Sequence, residues 1–300
     1  MKITLIGTAA GEAYPGNWCY CPNCRAARLA GGRNIRGNTC SMLDDDVLLD
    51  MNAHLFEAAP LLNLALDRIT TLLVTHAHHD HFDPFYLSQR SCPPGYAQLE
   101  GEELLRSVSP CFSVLPVLDV FGNRFVREAV DAYFGSSYRR LEDSRFQFHE
   151  IHDGVQVAHG DLVFTPVRSI HTAQYGYCDN YILERGGQTL FYATDAGGWD
   201  EEMLEIIYAH TYDGVVLEGT FGLGAEDAGH MCLKKNIRFR NALLEHRCIR
   251  PETPFILTHI CPHWTPLYDE YAEIVKKEGM ILGYDGQVIQ IPCKTSQEAF

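Results

Sequence analysis

Short apolar runs rich in branched and aromatic residues recur along this chain with turn signals between them, a pattern that reads as strands. The runs Ile3–Ile6, Val47–Asp50, Leu72–Thr75, Leu162–Val167, Tyr181–Leu183, Thr189–Ala193, Gly214–Leu217, Phe255–Thr258 and Val288–Ile291 predict mixed sheets. Helical periodicity is clearer in Arg124–Tyr133, Glu201–Tyr208 and Lys234–His246, and these few helices would cover sheet faces. The expected architecture is two packed sheets with helices outside. Residues from about 85 to about 150 carry loop signals such as Cys92-Pro93-Pro94-Gly95 and Phe121-Gly122-Asn123. That segment reads as an insertion on one domain spanning 1–300, serving as a lid, as an oligomer contact that would make a homodimer, or as a plain surface excursion.

Composition narrows the picture in three ways. A chain of 300 residues with 46% hydrophobic content can bury a large core. A formal charge of −15 argues against holding long nucleic acids, which needs many Lys and Arg to neutralise phosphates, but leaves a small anionic substrate open. Eleven cysteines, an odd number, with no convincing secretory leader make a disulfide framework improbable and a reducing cytoplasm the default. The start Met1-Lys2-Ile3-Thr4-Leu5-Ile6-Gly7 reads as a first strand rather than a signal peptide, and no apolar run approaches membrane-spanning length.

The chemistry is concentrated in His76-Ala77-His78-His79-Asp80-His81, five metal-ligand side chains in six positions after the apolar run Thr70–Val74. In an extended chain His76 and His78 point to one side and His79 to the other. Asp83 as a helix cap and Pro84 in the first turn imply a sharp turn just beyond, letting Asp80 and His81 reach a second ion. Imidazole mixed with carboxylate suits zinc, manganese or iron rather than calcium or magnesium. His171, Asp195 and His259 each follow a predicted strand. Taken singly they would be ordinary residues, and their joint pattern is what counts.

With H-x-H-x-D-H followed by spaced His, Asp and His, the chain resembles the metallo-β-lactamase superfamily over nearly its whole length. The resemblance implies an α+β fold, the αββα sandwich. It would place His76, His78 and His171 on one metal, Asp80, His81 and His259 on another, and Asp195 between them. Ile6-Gly7-Thr8 and Leu49-Asp50 also resemble the family's opening strands, with Met51-Asn52 standing where a Gly-containing turn often follows.

A second cluster, Cys19-Tyr20-Cys21-Pro22-Asn23-Cys24, sets three thiols close enough for one ion, and a closed tetrahedral zinc needs a fourth ligand. The superfamily branch that includes the cyclic-phosphate phosphodiesterase of bacterial phosphonate breakdown is similar, with C-x-C-x-x-C near its start and a histidine shortly after the last catalytic one. In His259-Ile260-Cys261-Pro262-His263 the resemblance makes His263 that fourth ligand. The family spacing is one residue shorter, so Cys261 remains a rival. Cys178, Cys232 and Cys248 have no partner spacing and read as core residues.

Two catalytic metals can bridge a water, lower its pKa and stabilise developing charge. A proton donor for the leaving oxygen is then required. His230, after the stretch Gly222–Ala228, matches the histidine that the phosphodiesterase branch uses there, and histidine suits the task. The residues assigned to catalysis are therefore His230 and the metal-ligating Asp80. The expected activity is a phosphodiesterase on a small or cyclic diester, with a lactone or thioester hydrolase as its rival. A non-catalytic metal-binding partner in a cofactor pathway is the alternative from another class. Trp199, Tyr175 and Tyr177 either line a pocket or pack the core.

Overall fold

The computed structural model describes residues 1–90, 115–137, 141–171, 177–226 and 229–292. The chain forms β1 (Lys2–Gly7), α1 (Pro22–Ala30), β2 (Cys40–Leu43), β3 (Val47–Leu49), α2 (Ala53–Leu61), β4 (Thr71–Leu73) and α3 (Phe85–Ser88). Next come β5 (Leu118–Gly122), α4 (Arg124–Ser136), β6 (Phe146–Glu150), β7 (Val157–His159), β8 (Leu162–Ser169), β9 (Cys178–Arg185) and β10 (Gln188–Ala193). The last part holds α5 (Glu201–Tyr208), β11 (Gly214–Glu218), α6 (Leu233–Glu245), β12 (Phe255–Thr258), α7 (Tyr268–Lys277), β13 (Ile281–Leu282) and β14 (Gln287–Gln290). Among the described residues no helix is long and apolar enough to cross a membrane.

Two seven-stranded sheets result, ordered β14-β1-β2-β3-β4-β5-β6 and β13-β12-β11-β10-β9-β8-β7. Each strand divides its side chains between two apolar layers by simple alternation. Ile3, Leu5, Leu49, Leu73, Phe164, Leu190, Tyr192, Val216 and Ile256 fill the space between the sheets. Ile6, Leu48, Leu72 and Val74 turn outward to pack with Leu55 of α2, Leu87 of α3 and Val126 and Val130 of α4. Phe191, Val215, Leu217 and Phe255 turn outward from the other sheet onto Met203 of α5, Phe239 of α6 and Tyr271 of α7. The architecture is the expected αββα sandwich. Because both faces of the central strands are covered, they read in sequence as unbroken apolar runs.

The pairings set the functional edge. β3, β4, β5 and β6 run parallel in the first sheet, and β10, β11, β12 and β13 run parallel in the second. β8 and β10 both lie antiparallel to β9, so β8 points the same way as β10. The C-terminal ends within each parallel set therefore open at one edge, where ligand sites of parallel sheets form.

The segment from about 85 to about 150 is not simply an excursion. β5 and β6 extend the first sheet, and α4, capped by the Asn123 side chain on the amides of Phe125 and Val126, covers its outer face. The described part of the segment thus contributes strands and a helix to the sandwich; the loop signal at Cys92–Gly95 lies outside the described residues. The edge strand β6 has no fully buried residue and two exposed ones, so it lacks an apolar run.

Arg185 of β9 joins the sheets at the opposite end. Its guanidinium bonds Asp44 and Asp46, in the β2–β3 turn, at 2.8–3.0 Å and pairs with Asp161 at 3.0 Å. Phe164, fully buried between the sheets, tests the sandwich directly. Phe164→Ala should destabilise the fold by about 3–5 kcal/mol, as truncations of buried aromatics do, read as a lower midpoint in urea unfolding.

Candidate metal centre

Every side chain of the H-x-H-x-D-H segment sits at the C-terminal end of β4. The chain leaves the strand extended, then folds on itself: the amides of His81 and Phe82 both bond the His78 carbonyl, at 3.0 and 2.7 Å. The turn falls on the ligand residues themselves, earlier than the Phe82-Asp83-Pro84 position that the sequence suggests. Asp83 still caps the short helix that follows, its Oδ1 accepting from the Phe85 amide at 2.9 Å. His79 points outward and is exposed, as the alternation predicts.

Three other strand ends complete the arrangement. His171 lies two residues beyond β8, Asp195 two beyond β10, and His259 one beyond β12. Ligand atoms of His76, His78, His171 and Asp195 all lie within 4.8 Å of one another, as do those of Asp80, His81, Asp195 and His259. Asp195 belongs to both sets. Its Oδ2 is 3.0 Å from His76 Nε2, 3.1 Å from His81 Nε2 and 3.6 Å from His171 Nε2, while its Oδ1 is 3.2 Å from His259 Nε2.

The donors are held from behind. Asp50, ending β3, sits 2.7 Å from His81 Nδ1 and accepts the Thr75 amide at 2.8 Å. The Thr220 hydroxyl sits 2.8 Å from His259 Nδ1 and bonds Glu218. Glu218, at the end of β11, accepts the Ala196 amide at 2.7 Å and lies 3.0 Å from His230 Nδ1. Asn52 donates to the Asp80 carbonyl at 2.6 Å while capping α2 on the Leu55 amide, a role the Met51-Asn52 turn can fill without glycine. Asp50, Asp195 and His259 all adopt positive φ, at 66°, 50° and 56°. Left-handed backbone at non-glycine residues costs on the order of 1 kcal/mol or more each and concentrates at functional sites.

The donor chemistry fits divalent cations. His81 Nδ1 and His259 Nδ1 are both engaged by oxygen partners, yet their Nε2 atoms face each other at 3.1 Å, which two neutral lone pairs do not favour. Asp195 Oδ1 is buried and accepts no hydrogen bond. Burial and the charge on His81 hold the His76 imidazole down to about 3. At His81, burial also lowers the pKa, but Asp195, Asp80 and Asp50 outweigh it and raise it well above the usual value. At Asp195, burial raises the carboxyl, but His259 and His81 outweigh it and hold it far below its usual range. These carboxylates demand positive charge. One protonated imidazole supplies some; divalent cations, which bind neutral imidazoles and release that proton, match the full donor set.

The centre lines a cleft of about 410 Å³ with Ala10, Gly11, Glu12, Phe221 and His230 on its other walls. His230 is held at this rim, 3.4 Å from Asp195 Oδ1. Trp199 packs instead into the core against Phe191 and Phe239, and Tyr177 stands edge-on to Phe125. Tyr175 lies outside the described residues.

At the cysteine cluster, Cys19, Cys24 and His263 gather their ligand atoms within 4.8 Å. The Cys21 thiol lies beside those of Cys19 and Cys24 but outside the set that includes His263. It caps α1, accepting the Cys24 amide at 3.4 Å, and that bond lowers its pKa. Cys261 sits 3.5 Å from His263 Nδ1 and forms a second set with Glu12 and His263. Burial pushes the Cys261 thiol up to about 12. Cys178, Cys232 and Cys248 are buried, as expected of core residues.

Sequence reasoning passed over Glu218 and Thr220. The available signal was an acidic residue closing the apolar strand Gly214-Val215-Val216-Leu217, the same placement that identifies Asp195 and His259.

The profile of the Beta-lactamase superfamily domain matches residues 46–260. The chain belongs to the metallo-β-lactamase superfamily. Within that superfamily it is 22% identical over 318 residues to Coenzyme PQQ synthesis protein B of Klebsiella pneumoniae (strain 342), covering 97% of this chain and 98% of that one. A diphosphatase of the PhnP family shares its fold at TM-score 0.70 and 16% identity, over 97% and 98% of the two chains. Zn(2+)-bound PqqB from Methylobacterium extorquens does so at 0.68 and 15%, over 97% and 100%. Short-form human tRNase Z gives 0.60 and 18%, over 97% and 100%. The family implies a metal-dependent hydrolase with divalent metal binding.

Asp50 contacts no substrate-facing surface yet orients His81. Asp50→Asn should weaken divalent metal binding by roughly 10–100-fold, the usual effect of losing such a partner. Competition against a chromogenic chelator measures this.

Proposed function

We propose that the chain, one metallo-hydrolase domain over residues 1–300, is a dinuclear metal-dependent phosphodiesterase acting on a small or cyclic phosphate diester. The observation that carries this reading is Asp195 standing between two histidine-rich donor sets, with His230 beside it at the cleft. In this reading His76, His78 and His171 would hold one divalent ion of zinc, manganese or iron, Asp80, His81 and His259 would hold the other, and Asp195, common to both donor sets, would serve each. When bound, such a pair supplies an activated water and neutralises charge on the reacting phosphate. His230 is oriented by Glu218, 3.0 Å from its Nδ1, and gives a proton to the leaving oxygen. Thr220 and Asp50 fix the rings of His259 and His81, so the donor geometry is set before substrate arrives. Cys19, Cys21, Cys24 and His263 hold a structural zinc that pins the loop beside the cleft, and the buried, protonated Cys261 is left out of it. The substrate is a small anion, and the setting a reducing cytoplasm.

A second reading, a metal-binding partner in a cofactor pathway, draws support from the likeness to Coenzyme PQQ synthesis protein B. Retention of every donor and of His230 favours the enzyme.

Elemental analysis of protein purified without added metal should give close to three ions per chain. A content near one, unchanged in both His78→Ala and Cys21→Ser, would contradict the assignment. Cys21→Ser should chiefly lower thermal stability, whereas His78→Ala should abolish turnover with the fold intact.

His230→Ala should reduce turnover by roughly 10²–10⁴-fold on diesters with poor leaving groups, the range for general acid catalysis, and far less on an activated 4-nitrophenyl ester. Equal losses on both would assign His230 to positioning. Clear lactone cleavage without any diester turnover by wild type would move the chain to another hydrolase class.

A further inference from the structure

The loop 10–20 joins the catalytic cleft to the cysteine cluster, and it exposes two aromatic side chains. At its start, Gly11 approaches the centre so closely that a Cβ there would lie 3.1 Å from Asp80 Oδ2. At its end Trp18 is 99% exposed and Tyr20 77% exposed. The segment between is pinned: Asn17 N bonds the Glu12 carbonyl at 3.1 Å, and Arg28 of α1 donates to the Gly16 and Cys19 carbonyls at 2.7 and 2.8 Å. Trp18 therefore sits on a fixed backbone but packs against almost nothing, so folding does not explain its size or its chemistry.

Beside it opens a second cavity of about 480 Å³, lined by Glu12, Asn17, Trp18, Tyr20 and His263 among others. Gly11 and Glu12 line both this cavity and the catalytic cleft. The two are adjoining parts of one groove that runs from the metal ligands to the aromatics. Arg28 stands 5.2 Å from the Tyr20 ring centroid, a cation on the ring that holds it in place.

We propose that Trp18 and Tyr20 form a stacking subsite for a planar nitrogen heteroaromatic ring, a nucleobase, carried by the substrate at a distance from its phosphate. Flat π-faces on a rigid loop recognise planar rings. The Glu12 carboxylate accepts from an exocyclic amine, and the Asn17 amide both donates and accepts. An anionic group at this end would face the Glu12 carboxylate, so the charge of the substrate belongs at the metal end and its uncharged ring at this one. The proposal rests on the phosphodiesterase reading only for where the phosphate sits.

Isothermal titration of the metal-loaded chain with AMP and with ribose 5-phosphate tests it without turnover. AMP should bind about 10–100-fold more tightly, since a stacked base contributes roughly 1–3 kcal/mol. In Trp18→Ala and in the Trp18→Ala/Tyr20→Ala double variant the ratio should fall toward one, while Trp18→Phe should keep most of it. Metal content and Tm, measured on the same samples, show whether the loop is intact, and the single variant at the almost fully exposed Trp18 serves if the double one is disturbed. A ratio near one in wild type overturns the proposal, as does a ratio that survives both substitutions. A dimer that dissociates in the double variant with the ratio unchanged would assign the aromatics to a second copy of the chain. Failure of wild type to hydrolyse any diester, tested separately, would strike the phosphodiesterase reading and leave the titration result standing.

Discussion

A buried carboxylate within 3.0–3.6 Å of five imidazole nitrogens is the constraint around which this molecule is organised. Asp195 is costly to bury unless positive charge is gathered around it. Burial makes His76 and His78, among the imidazoles that gather there, costly to protonate. Divalent cations resolve both demands at once, because they supply charge to Asp195 and take neutral nitrogens as ligands. Positive φ at Asp50, Asp195 and His259 turns each side chain inward within two residues of its strand's end.

Topology makes such convergence cheap. Asp50, the His76–His81 segment, His171, Asp195, Glu218 and His259 come from widely separated parts of the sequence, yet each closes a strand or begins within three residues of its end, β3, β4, β8, β10, β11 and β12 in turn. Parallel strands put such positions at one edge by default. Only short loops are then needed to aim the side chains, and Asp50, Thr220 and Glu218, which hold the rings, come from the same strand ends or within two residues beyond. The support and the ligands are products of one arrangement.

This also explains what the sequence discloses. Central strands such as β10 and β12 are buried on both faces and read plainly as apolar runs, so the ligands that follow them were legible as polar residues at strand ends. The edge strands β6, β7 and β13 are short or partly exposed and gave no such signal, which is why the segment carrying β5, α4 and β6 was read as an insertion. Helix α7 was also missed, although Asp269 and Glu270 in its first turn and Lys276 and Lys277 in its last complement the helix dipole. Glu218 was legible only by its place, an acidic residue closing Val215-Val216-Leu217, with no motif around it to single it out. The geometry around Cys21 was out of reach for a different reason. Spacing showed that three thiols could meet, but not that the middle one would cap a helix.

The charge of the cleft adds a final step. No Lys or Arg is among the described residues that line it, whereas Glu12, Asp80 and Asp195 are, and the chain as a whole carries −15. A protein with this field repels anions at long range. If the substrate is a phosphate, as proposed, its attraction would come from the cations at close range, where low dielectric strengthens it and salt screens it little. Such a site gains little from electrostatic steering and selects strongly on fit, because a substrate is rewarded only once its anionic oxygens reach the metals. On the proposed reading, that favours small substrates whose remaining bulk is uncharged, and it fits a cleft whose described lining holds histidines and carboxylates but no Lys or Arg.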